Sequence, residues 1–131
     1  MKKPVGIGVI GVGVFGENHA RVYSELSNAK LVAVADVNET RAKQCATKYR
    51  AEAWYTDHNK LLQRTDIDAV SIATPDQFHR EPAVAAAEAG KQILLEKPMA
   101  SNIEDATAIL RAVEKARINL MIGYILRFEI H

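Results

Sequence analysis

The chain has a single cysteine, Cys45, so it can form no internal disulfide. It has no excess of charge of either sign. Seventeen Lys and Arg stand against sixteen Asp and Glu, for a net charge of +1. The longest basic run is Lys2-Lys3, which leaves no electrostatic footprint for a nucleic acid or an anionic membrane. No apolar run approaches the ~18 residues of a spanning helix. The basic residues and short apolar stretch at the start resemble a signal peptide. That stretch is laced with glycine, however, and runs straight into Glu17, Asn18 and His19 with no small-residue cleavage pattern. It reads as a buried strand, and the protein as cytoplasmic. No spacing of Cys and His suggests a metal site.

What is present is an ordinary globular balance, with 48% hydrophobic and 25% charged residues over 131 positions, the size of one domain. The hydrophobic period switches repeatedly along it. Val5–Ile10 is a continuous apolar run of the kind covered on both faces. Residues 15–27 carry Phe15, Val22, Tyr23 and Leu26 at helical spacing. A strand follows at Leu31–Ala35, then a helix over 39–48 that Asn38 is placed to cap. Further on come an extended piece at Ala53–Tyr55, a small helix near 58–63 and a strand at Ala69–Ala73. A helix over Pro82–Ala89 stops at Gly90, and Ile93–Leu95 is a strand. Ser101 and Glu104 have the spacing of a capping box, opening a helix to about Lys115. Ile103, Ala106, Ile109, Leu110 and Val113 would form its apolar face. Leu120–Gly123 is the last strand. Cys45, Trp54, Met99 and Met121 read as core or filler.

Strands alternating with helices predict an α/β fold, a doubly wound parallel sheet of about six strands in the order 3-2-1-4-5-6. In that order strands 1 and 4 are neighbours where the winding reverses. A ligand belongs over their C-terminal ends, between the 11–16 loop and the loop after Ala73.

That first loop, GVGVFG, sets Gly11, Gly13 and Gly16 in the pattern G-x-G-x-x-G. Three glycines so spaced arise by chance in roughly 4% of chains of this length, so the pattern alone is weak. Here a strand precedes it, an amphipathic helix follows, and Asp36 lies 20 residues after Gly16 at the end of the second strand. Gly11 permits the turn, Gly13 lets backbone approach a pyrophosphate, and Gly16 lets the helix pack on the sheet. The N–H groups of Val14 and Phe15 open the helix whose positive end receives the phosphates. Asp36, with Val37 beside it, is placed to accept from ribose hydroxyls. A carboxylate there repels a 2′-phosphate and so favours NAD over NADP. Arg41 is the feature that leaves NADP open, although a solvated helix residue is the simpler account of it.

Three further pieces, ATPDQFH at 73–79, EKPMA at 96–100 and GYILRF at 123–128, join the glycine loop and Asp36. Together they resemble the glucose–fructose oxidoreductase/inositol dehydrogenase/MocA family over about residues 4–128. The resemblance implies an NAD(P)-dependent dehydrogenase moving a hydride between the cofactor and a secondary alcohol of a sugar or cyclitol. It implies that Ala73, Thr74 and Pro75 line the nicotinamide half of the cofactor, with His79 beside them at a helix start. Glu96 and Lys97 would follow the fifth strand, with Lys97 the catalytic residue and the Lys97–Pro98 bond cis. Arg127 would lie near the nicotinamide end. His79 also reads as a cap or packing residue, and His19 as packing.

Family members run to more than twice this length, with a second α/β domain that holds the substrate and most of the oligomer interface. The chain therefore reads as the NAD(P)-binding domain, residues 1–123, followed at 124–131 by the start of the crossover to a substrate domain. Ile125, Leu126, Phe128 and Ile130 are expected to fray or to pair with a second molecule, so a homo-oligomer is left open. Two other readings stand beside this one: a dinucleotide-binding module without turnover, and a methyltransferase-type site for S-adenosylmethionine. The A-T-P loop and the E-K-P triplet argue against the methyltransferase. No partner of nucleic acid or membrane is expected.

Overall fold

A computed structural model describes residues 3–123. Arg127 and the apolar residues of 124–131 lie outside them. The elements run β1 (Val5–Ile10), α1 (Val14–Glu25), β2 (Ala29–Ala35), α2 (Glu39–Tyr49), β3 (Ala53–Tyr55) and α3 (His58–Leu62). They continue β4 (Ala69–Ile72), α4 (Arg80–Glu88), β5 (Gln92–Glu96), α5 (Ile103–Ala116) and β6 (Leu120–Gly123), with a short 3-10 turn at Asp76–Phe78 before α4. The strands form one six-stranded sheet in the order β3-β2-β1-β4-β5-β6. All five pairings are parallel. The expected topology is the observed one.

Each face of the sheet carries its own apolar cluster. On one face Val9, Leu31 and Val34 meet Ala20 of α1 and Cys45 and Ala46 of α2, with Trp54 and Tyr49 partly buried against them. On the other, Ile10, Ile72 and Leu95 meet Leu61 of α3, Ala83, Ala86 and Ala87 of α4 and Ile109 of α5. Alternation along a strand sends Val9 and Ile10 to opposite faces, which is why central strands read as unbroken apolar runs.

Helix ends follow the chemistry of their caps. Asn38 accepts from the Arg41 amide, as expected. Gly90, at φ +77°, takes the left-handed position just past α4. The box at Ser101 and Glu104 is corrected. Asn102 caps α5, one residue later, accepting from the Asp105 amide at 2.8 Å while its own Nδ2 donates to Asp105 Oδ2 at 3.2 Å. Asn caps as well as Ser, and Asp105 at the third helical position suits the helix dipole. The buried face also differs from the expected one. Ile109 is buried, with Ala112, Val113 and Ala116 packed beside it, whereas Ile103 and Leu110 are exposed. Met121 is not core filler either, because it sits on the edge strand β6 and is 60% exposed.

Candidate cofactor site

Over the C-terminal ends of β1, β4 and β5 lies a cleft of about 860 Å³. Gly11, Gly13, Val14 and Phe15 line it from the first loop, and Asp36 and Val37 from the second. Ala73, Thr74, Pro75 and His79 line it after β4, and Glu96 and Lys97 after β5. Twelve of the fourteen expected site residues are thus brought together. Arg127 lies outside the described residues, and Gly16 does not line the cleft.

Gly16 works from beneath. A Cβ on it would lie 1.7 Å from the carbonyl oxygen of Gly11, so α1 sits against the turn more closely than any side chain allows. Gly11 has φ +86°, and a Cβ there would meet the Thr74 nitrogen at 2.7 Å. These two glycines answer to the protein's own packing. Gly13 differs: a Cβ on it would meet nothing nearer than Arg41 Nη1 at 3.9 Å, so it faces open space. It is also the N-cap of α1, with no side chain to satisfy the first-turn amides. An uncapped helix N-terminus beside a gap that a methyl group would fill can cradle a phosphate.

Asp36 is more constrained than the sequence suggests. Its Oδ2 accepts from the Val12 amide at 2.9 Å and its Oδ1 from the Asn38 amide at 2.8 Å. The side chain is 8% exposed, and Arg41 Nη1 lies 3.9 Å from Oδ2. Each oxygen keeps a lone pair for a ribose hydroxyl, while the backbone bonds fix the carboxylate's direction.

At the other end, His79 is buried at 1% exposure and holds two loops together. Its Nε2 donates to the Thr74 carbonyl at 2.7 Å, and Nδ1 lies 3.2 Å from the Met99 carbonyl. The ring spans the loops after β4 and β5, which accords with a packing residue. His19 is likewise buried, with Nε2 2.9 Å from Glu96 Oε2. The Lys97–Pro98 bond is cis.

The sequence reading missed Thr56, His58 and Phe78, which also line the cleft. Thr56 and His58 follow β3, and every strand in this sheet points its C-terminal end toward the ligand, so topology was the available signal. Phe78 is 60% exposed on the 3-10 turn, and only the fold shows that it borders the cleft. Among the described residues, no His/Cys/Asp/Glu group is arranged to hold a metal, and no helix is long and apolar enough to cross a membrane.

Residues 5–124 match the oxidoreductase family with an NAD-binding Rossmann fold, the Gfo/Idh/MocA family. The chain belongs to that family. It is 35% identical over 130 residues to the scyllo-inositol 2-dehydrogenase (NAD(+)) of Bacillus subtilis, covering 98% of this chain and 38% of that protein. It is 34% identical over 123 residues to the 4-carboxy-2-hydroxymuconate-6-semialdehyde dehydrogenase of a Sphingobium species, covering 94% of this chain and 39% of that protein. The solved structure of Lactobacillus casei scyllo-inositol dehydrogenase with bound NAD(H) and scyllo-inositol superposes with a TM-score of 0.88 at 29% identity. That match covers 96% of this chain and 38% of the other. The chain is the NAD-binding domain of this family and spans less than two fifths of the length of these relatives.

Proposed function

We propose that this domain forms the cofactor half of a dehydrogenase that oxidises a secondary alcohol of a sugar or cyclitol, with Lys97 handling the proton. The observation that carries the reading is the convergence on one cleft of an uncapped helix start, a backbone-fixed Asp36 and a strand-end Glu96-Lys97. A dinucleotide has its adenosine ribose at Asp36, its pyrophosphate at Gly13, Val14 and Phe15, and its nicotinamide between Thr74 and Lys97. Bound NAD supplies a hydride acceptor. Lys97 lines the cleft from the end of β5, where its neutral amine can hydrogen-bond a substrate hydroxyl and take up its proton as the hydride passes to NAD. Arg127 belongs to the same end of the site in this reading. Cytoplasmic residence and self-association are further parts of it, the second supported by Ile125, Leu126, Phe128 and Ile130 in the sequence.

Lys97 is tested in a chimaera that joins residues 1–123 to the substrate domain of the Bacillus subtilis relative. Lys97→Ala should leave NAD binding nearly unchanged and reduce kcat ~100-fold or more, the usual scale for a positioned acid–base group. Lys97→Arg should not rescue it, because arginine is larger and does not deprotonate. A variant that keeps kcat and only raises KM makes Lys97 a binding residue. The 131-residue chain alone should bind NADH without oxidising polyols, since positioning a substrate against the cofactor supplies ~7–11 kcal/mol of the barrier reduction. Turnover by the chain alone would overturn the division of labour. The second reading, a dinucleotide-binding module, predicts binding as strong with no chimaera made active.

A further inference from the structure

The glycine loop and Lys97 belong to different parts of the fold, and a buried polar bridge joins them. His19 lies on α1, one turn past the amides that face the cleft. Glu96 ends β5, directly before Lys97. Between their elements the sheet interposes β4, the neighbour of β5, and β1, from whose end α1 begins. The pair spans this gap at 2.9 Å, with side chains 8% and 15% exposed. Tyr23, one turn further along α1, meets the His19 ring edge-on at 6.3 Å. Its hydroxyl hydrogen-bonds Ser71 Oγ of β4. Burial pushes the Tyr23 hydroxyl's pKa up, the Ser71 bond opposes that, and the Glu96 charge adds to the rise.

We propose that the His19–Glu96 bridge is a positioning device for the nicotinamide half of the cofactor. It fixes the end of β5, and with it Lys97, relative to the phosphate-binding start of α1. The inference rests on the placement of the nicotinamide beside Glu96 and Lys97 given above. The two ends of the site have separate supports. The phosphate end stands on Gly16 against Gly11 and on the buried Ala20, and the ribose end on the Asp36–Val12 bond. Neither of these involves Glu96. With His19 gone, a carboxylate that is mostly shielded from water loses its partner, and such a group relaxes toward solvent, here the cleft. The damage should be confined to the nicotinamide end.

ADP-ribose, which lacks the nicotinamide, separates this from a general structural role. In the 131-residue chain, His19→Ala should weaken NADH binding about fivefold or more while ADP-ribose affinity stays within twofold. The emission of bound NADH should move toward that of free NADH. His19→Gln, whose amide can donate to the same carboxylate, should recover most of both effects. If His19→Ala does not fold, His19→Phe, which fills the ring's place without a donor, is read by the same comparison. Equal losses for the two ligands, or no loss for either, would overturn the bridge's role. Wild-type protein that binds NADH no better than ADP-ribose would instead overturn the placement of the nicotinamide, an outcome visible before any variant is made.

Discussion

The Val12 amide donates to Asp36 Oδ2 at 2.9 Å, which ties the loop after β1 to the loop after β2. The carboxylate proposed for the ribose is therefore also part of the scaffold of the glycine loop. Its orientation is set before any cofactor arrives, so little ordering is left for binding to accomplish.

Cofactor choice follows from that carboxylate. The chain should bind NADH more tightly than NADPH by about tenfold, because ribose hydrogen bonds to Asp36 are charge-assisted, worth about 1.5–3 kcal/mol each, and a 2′-phosphate is repelled. Fluorescence titration of both cofactors checks this. Asp36→Ala should narrow the gap and weaken both, since it also strips the Val12 and Asn38 amides of their acceptor. Equal or tighter NADPH binding by the unaltered chain would mean that Arg41 governs the site.

Gly16 and Gly13 should part company under the same substitution. Gly16→Ala forces a Cβ to within 1.7 Å of backbone and should cost about 3 kcal/mol or more of stability. Gly13→Ala meets no protein atom nearer than 3.9 Å. It should leave the urea midpoint almost in place while weakening NADH binding severalfold. If Gly13→Ala unfolds the chain or binds NADH normally, the assignment of that position to the phosphate is wrong.

Cys45 gives a pH signature of the folded core. Burial raises its thiol pKa to about 11 from 9.0, with the Glu17 charge adding to the rise. The folded state thus keeps a proton that the unfolded chain releases, so stability should fall as pH rises between about 9 and 11 and be unaffected by this group below 9. Denaturant melts of the native chain and of Cys45→Ala, compared across that range, isolate the thiol's contribution. Alkylation by iodoacetamide at pH 8 should be slow in the folded chain and fast in urea. Rapid labelling without denaturant would show the thiol to be accessible.

The order of elements, the topology, the glycine loop and Asp36 were legible in the sequence, because each has a local signature, whereas Ala73, Thr74, Pro75, His79, Glu96 and Lys97 came from the family resemblance of the ATPDQFH and EKPMA segments. Apolar runs mark strands buried on both faces, glycine spacing marks a turn pressed against a helix, and Asp36 falls where the second strand ends. Asn102 as the cap of α5 was also there to be read, but Ser101 offers the same chemistry one residue earlier, and only the hydrogen bond from the Asp105 amide to Asn102 decides between the two. Tertiary structure alone decided the rest. No spacing announces that Phe78 borders the cleft, that His79 joins two loops, or that His19 reaches Glu96, 77 residues away. These are contacts between elements far apart in the chain. Local periodicity and spacing record how each segment packs on the sheet, and carry no information about which distant side chain it will meet there.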